Sequence, residues 1–284
     1  MKTPASFFKF VGPDRIDVLQ NGCVRFTPPK GLNDPFECNP YITHLTRDWI
    51  DGLDEGMEIG GEWGKEDYDF SMSRHCKRDD YLATWSAYAS KLGILSLSAH
   101  YDTNPNPSIY VEHKNDPRHN LLMWAHYCDS HKGFVIEFDP AFITDGAKEV
   151  LYRRDRPVLT FEEIDGGDTS AFLVKSPQWC YENEWRVIRP LDEVPRNERG
   201  FHLLPFNKSC VKSITIGNRA DQKTIDAIET CVFRGEYRGA QLFRARIRQD
   251  TFSLDFEQFI SHKGRVLSNA TEFGIVQIDI QRAP

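Results

Sequence analysis

The chain has 284 residues, 40% hydrophobic and 27% charged, with a formal net charge of −7. That length supplies a sizeable core, and the acidic balance argues against a protein wrapped broadly in nucleic acid while leaving room for a local basic groove. No apolar run approaches the roughly 20 residues that span a bilayer, and the first ten residues lack the apolar stretch of a signal peptide, so the expectation is a cytoplasmic protein with no membrane partner.

In chain order, Phe7 to Phe10 reads as a first strand. Asp14 to Leu19 is a helical turn opened by Pro13-Asp14 and closed at Asn21-Gly22. Cys23 to Thr27 alternates as a second strand ended by Pro28-Pro29. Lys30 to Pro40 is a loop, because Gly, Asn-Asp-Pro and Asn-Pro all favour turns. Phe36 inside it reads as an anchor pinning the loop to the core, in either a functional or a structural role. Residues 44–92 look like a helical insertion, broken at Gly60-Gly61 and strongly charged over 62–80, with Gly93 as the C-cap of an amphipathic run from Tyr81. Ile94 to Ser98 is a buried strand, and Tyr101 to Pro107 a loop. Asn120 to His131 is a helix with Asn120 as N-cap, placing Trp124, Tyr127, Cys128 and His131 on one face and His126 on another. Phe134 to Phe138 and Val150 to Tyr152 are strands, the second followed by Arg153-Arg154-Asp155-Arg156. Thr160 to Ile164 opens a short helix. Val211 to Ile216 is a strand, Asp221 to Phe233 a helix with Ile225, Ile228 and Val232 on one face, and Gly274 to Gln281 a last alternating strand. Gln241 to Gln249 is a strand with Arg244, Arg246 and Arg248 on one side, either a solvated edge or a phosphate-binding surface. The simplest account is a single α+β domain over residues 1–284, with mixed, largely antiparallel sheets and surrounding helices.

The densest chemistry lies in Lys175 to Arg189. Glu184 to Ile188 alternates as a strand, so Glu184 and Arg186 share one face and Trp185 and Val187 the other. Burying such a pair costs solvation, which suits either a structural or a site role. If Glu182 is also extended, both carboxylates project together. A strand-borne Glu at a pocket mouth can take a proton, bind a ribose hydroxyl or stabilise an oxocarbenium-like carbon. Trp179, Tyr181 and Trp185 are a stacking wall or core. His126 and His131 are acid–base candidates or ordinary helix histidines. Cys128 and His131 could share a metal ion, but no local third and fourth ligand is supplied, so no metal is expected. The seven cysteines are widely spaced with no CxxC pair, and no Gly-rich nucleotide loop or GxSxG motif occurs.

Taken together, Leu32-Asn33-Asp34-Pro35-Phe36-Glu37, Leu95-Ser96-Leu97-Ser98, Leu122-Met123-Trp124-Ala125-His126-Tyr127 with His131-Lys132-Gly133-Phe134, and Trp179-x-Tyr181-Glu182-x-Glu184-Trp185-Arg186 resemble, in order and over residues 7–190, the bacterial domain-of-unknown-function family DUF2971. The chain departs from that pattern where Val11 follows Phe8-Lys9-Phe10 in place of the usual first-strand Arg. A second resemblance, at the level of layout, is to ADP-ribosyltransferases. It implies Lys9 or Arg25 at the first motif, Ser96 or Ser98 at the second and Glu184 at the third. On that resemblance NAD is the substrate and Glu184 stabilises the ribosyl cation. Arg186 and a first-strand base hold the pyrophosphate, and His126 joins the catalytic group. Asn33, Asp34, Phe36, Trp124, Tyr127, His131 and Glu182 line the pocket. The implied protein is a toxin or phage-defence effector that modifies a nucleic acid, RNA before DNA, or a protein, with an antitoxin or chaperone as a further partner. The alternatives are a non-enzymatic ligand- or partner-binding module, and a hydrolase or nuclease using Glu184 and the histidines.

Overall fold

Aromatic and β-branched residues fill strands such as Ser6–Val11, Phe134–Phe138 and Val211–Ile216, which are buried on both faces. In the computed structural model, residues 4–43, 46–54, 78–101, 116–143, 146–234, 236–237, 239–259 and 266–267 are described. The Gly60-Gly61 break, nearly all of the charged 62–80 stretch, the loop after Tyr101 and the 274–281 strand lie outside them. The strands are β1 (Ser6–Val11), β2 (Cys23–Phe26), β3 (Tyr41–Thr43), β4 (Leu92–His100), β5 (Phe134–Phe138), β6 (Lys148–Glu149), β7 (Leu151–Tyr152), β8 (Val158–Thr160), β9 (Val174–Lys175), β10 (Glu184–Pro190), β11 (His202–Pro205), β12 (Val211–Ile216), β13 (Gln241–Ile247), β14 (Leu254–Phe259) and β15 (Val266–Leu267). With six α-helices among the described residues, the protein is mixed α+β. None of these helices is long and apolar enough to cross a membrane. The chain divides into two compact units: Met1–Gly22, Ala99–Phe142 and Asn207–Pro284 form the first, Cys23–Ser98 and Ile143–Phe206 the second.

The first unit is built on strands ordered β15-β14-β13-β12-β5-β1. All neighbours are antiparallel except β12 and β13. Phe8, Phe10, Phe134, Ile136, Phe138, Ile214 and Leu242 are buried there. The helix Leu121–Tyr127 is capped by Asn120, whose side chain accepts from the Leu122 N–H at 3.0 Å. It stops at Cys128 rather than His131, because Asp129, Ser130 and His131 take left-handed φ values of 44°, 54° and 69°. The helix ends there, yet the His131 ring still comes to lie beside Trp124. The helix Gln222–Glu229 starts from Asp221, which accepts from the Thr224 N–H at 2.8 Å, and buries Ile225 and Ile228 as its spacing requires. Strand β13 is an interior strand, not an edge. Two of the three arginines in its row are engaged by carboxylates: Arg246 meets Glu257 at 2.7 Å, and Arg248, just past the strand, meets Asp250 at 2.9 Å and Asp255 at 3.4 Å.

The second unit pairs β10 antiparallel with β4 on one side and with β6 on the other. Trp85 and Phe172 stack at 4.9 Å within a core that includes Cys38, Ile94 and Leu159. Phe161–Asp165 is a helix closed by a capping box between Thr160 and Glu163. The preceding helix, Arg78–Ala89, ends before Gly93. Gly93 is no C-cap: it lies within β4 opposite Arg189, where a Cβ would meet the Leu191 side chain at 2.5 Å.

Candidate functional site

Five ionisable side chains converge in the second unit. The pleat of β10 puts Glu184 and Arg186 on one face, and the Arg186 guanidinium grips the Glu184 carboxylate with two bonds, Nε to Oε1 at 2.8 Å and Nη2 to Oε2 at 3.0 Å. Arg186 also donates to the Phe172 carbonyl at 2.7 Å and to Glu37 Oε2 in the Asn-Asp-Pro loop. Lys175, on β9, donates to Glu182 at 2.6 Å and to Glu184 at 3.2 Å, lies 3.9 Å from Glu37, and rests on the Trp179 ring. Strands β7 and β9 run parallel with Tyr152 opposite Lys175, and the Tyr152 hydroxyl accepts from the Glu184 backbone N–H at 2.9 Å. All five charged side chains are buried, Arg186 to 1% exposure. Such burial costs several kcal/mol per ion and persists only where partners and hydrogen bonds are plentiful.

Three carboxylates, Glu37, Glu182 and Glu184, share two cations, Lys175 and Arg186. Burial pushes the Glu184 carboxyl up, but Arg186, Lys175 and the Ser96 hydroxyl outweigh it and bring the pKa down to about 2. For Arg186 and Lys175, burial works against the charged form, and the neighbouring glutamates overcome it, raising both. The buried Cys38 thiol, 3.6 Å from Arg186, is pushed up to about 12, chiefly by burial. Burial likewise raises the Tyr152 phenol.

Strand β4 sets Ser98 opposite Glu184 and Ser96 opposite Arg186. Two expectations about this region fail. Phe36 is not an anchor, being 69% exposed; Glu37, Cys38 and Asp34 are the buried residues of that loop, with Asp34 accepting from the Phe36 N–H at 2.8 Å. The loop is held by a charge pair rather than by an aromatic ring. Glu182 is not extended either. It ends a 3-10 turn, Pro177–Glu182, followed by left-handed Asn183, and reaches Lys175 from there. Asn33 lies in the same loop, and Arg25 on β2 stacks over the Phe201 ring at 4.1 Å.

Lys9, Trp124, His126, Tyr127 and His131 belong to the first unit. Lys9 lies opposite Ile136. Trp124 is fully buried, and its indole N–H donates to the Arg118 carbonyl at 2.7 Å. His126 is exposed, and the His131 ring lies parallel to Trp124 at 5.9 Å. The Cys128 thiol donates to the Phe134 carbonyl. Among the described residues no group of three His, Cys, Asp or Glu is disposed to hold a metal ion.

A cleft of about 170 Å³ opens beside the buried cluster. Glu37 and Lys175 line it together with Arg153, Arg154, Arg156 and the exposed Phe36. Sequence reasoning passed over Glu37 and Lys175 as site residues. Lys175 opens the charge-dense 175–189 segment, a signal that could have found it, whereas Glu37 lies in a loop and its partner Arg186 is 149 residues away. Comparison of the chain with protein-family models, with curated proteins and with solved structures finds no match.

Proposed function

We propose that the second unit cleaves the nicotinamide–ribose bond of NAD and transfers ADP-ribose to an acceptor. The observation that carries this reading is the charge layout: one carboxylate more than the cations in the buried cluster, next to a cleft lined by arginines. Heterolysis of the ribosyl C–N bond leaves its electron pair on nicotinamide and a positive charge on the sugar. Fixed carboxylates stabilise that charge as it develops. Glu184 is ionised down to about pH 2. Glu37 lines the cleft itself, with Glu184 one residue behind it through Lys175 and Arg186. Arg186, spent on both glutamates, positions the carboxylates rather than the pyrophosphate. The nucleophile, an RNA, DNA or protein group, closes the cycle by bonding to the sugar carbon and losing its proton.

A non-catalytic ligand-binding module is the second reading. It is favoured by the burial of Glu184 and by the engagement of both its oxygens. Incubation with NAD labelled in the adenylate part, with cellular RNA, DNA and protein as acceptors, separates the two. Nicotinamide release and label transfer that fall at least about a hundredfold in Glu37→Gln and Glu184→Gln support the transferase. No release by the parent, or release by both variants equal to the parent's, discards it in favour of the binding module.

A further inference from the structure

We propose that the Arg153–Arg156 segment and Phe36 form a binding site for the diphosphate and base of a nucleoside diphosphate. The segment leaves β7 immediately after Tyr152, and the Arg153 N–H donates to the Lys175 carbonyl at 3.0 Å, so its backbone is fixed at the edge of the cleft. Arg153, Arg154 and Arg156 all line that cleft and all are exposed. None of the three makes an ion pair among the described residues. Asp155 is the sole acid within the segment. Glu37, the cleft's other carboxylate, is already bound to Arg186.

Three guanidinium groups in four residues repel one another, and a cleft focuses their field. An anion relieves that repulsion, and the planar fork of Arg suits phosphate oxygens in pairs. The second half of the site is Phe36. Its loop is locked in place by Glu37, yet its ring is held in solvent at the rim of the same cleft. A ring exposed at that position offers a stacking surface for a flat heterocycle. An anionic group and a flat ring within one cleft describe a nucleotide. The inference stands on the cleft alone, and the ADP part of the ligand binds whether or not the neighbouring carboxylates break a bond.

Calorimetry on the full chain tests it with ADP, inorganic pyrophosphate and adenosine as probes. ADP should bind most tightly, and raising the salt from about 0.1 M to about 1 M should weaken it. Replacing all three arginines by Ala should weaken both ADP and pyrophosphate by at least about a hundredfold. Phe36→Ala should weaken ADP by about tenfold and leave pyrophosphate unchanged. All four substitutions lie at exposed side chains, so an unchanged melting temperature marks a folded variant. Absence of ADP binding, or an ADP affinity that survives loss of the three arginines, overturns the site. A Phe36→Ala variant that binds ADP like the parent overturns its stacking half. ADP binding without nicotinamide release upholds this site while removing the transferase reading.

Discussion

Arg186 is the residue on which the second unit's polar interior turns. It closes a contact across 149 residues to Glu37, one across two residues to Glu184, and one to the Phe172 carbonyl. Arg186→Met leaves the glutamates without their main counter-charge in a dry setting, and a broken buried pair costs about 3–5 kcal/mol. Glu184→Gln is the milder change. It keeps an acceptor for the guanidinium and removes the surplus negative charge, so a cost of about 1–3 kcal/mol is expected. Urea denaturation at neutral pH measures both. An Arg186→Met variant within about 1 kcal/mol of the parent would show that the cluster relaxes by admitting water and is not a dry ion network.

At the scale of elements, two glycines mark where backbones meet. A Cβ on Gly133 would lie 2.0 Å from the Val11 carbonyl oxygen, and one on Gly217 would lie 2.2 Å from that of His131. The Gly217 N–H donates to the Gly133 carbonyl at 2.9 Å and the Arg219 N–H to the His131 carbonyl at 3.1 Å, so neither strand can withdraw without losing bonds. Gly217→Ala should therefore cost about 3 kcal/mol or more, as overpacking against backbone does. Gly167→Ala, where φ is +81° but nothing lies within 4 Å, should cost only about 1–2 kcal/mol for its left-handed backbone. Denaturation midpoints rank the pair, and equal costs would refute the steric argument. Gly217 directly follows β12, as a strand stop should, but the helix before Gly133 has already ended at Tyr127, and neither backbone contact is visible in the local sequence. The same limit explains other outcomes. Strand β12, the Asn120 and Asp221 caps and the Glu184–Arg186 pairing are set by near neighbours, and period and capping chemistry expose them. The burial of Glu37 in place of Phe36 depends on a partner far along the chain, and no local pattern carries that information. The left-handed run Asp129–His131 ends the helix earlier than the sequence suggests, because its residues are not the glycines that usually signal such a turn.

Across the whole molecule, a net charge of −7 conceals an uneven distribution. Carboxylates are buried against cations in the second unit, while arginines with no ion pair among the described residues edge a cleft beside them. The consequence for stability depends on pH with a definite sign. The Glu184 carboxyl titrates near 4.5 in the unfolded chain and about 2 in the folded one. A depressed carboxyl stabilises the fold fully above the unfolded value and loses that contribution as pH falls through the folded value, here between about 4.5 and about 2. At about 1.4 kcal/mol per pH unit the loss amounts to about 3 kcal/mol. Lys175 and Arg186 are raised, so their contributions are complete below the ordinary value of each group, neutral pH included, and fade only as pH climbs above it. Other depressed carboxyls, such as Glu163 beside Arg47, add to the acid slope in parent and variant alike, so the informative quantity is a difference. Urea titrations at pH 7, at about 4.5 and at about 3 should show the parent losing stability faster than Glu184→Gln, with the gap between them narrowing as the medium is acidified. Parallel losses would mean that the Glu184 carboxyl titrates alike in the folded and unfolded chain, and that the guanidinium and ammonium groups around it do not keep it ionised.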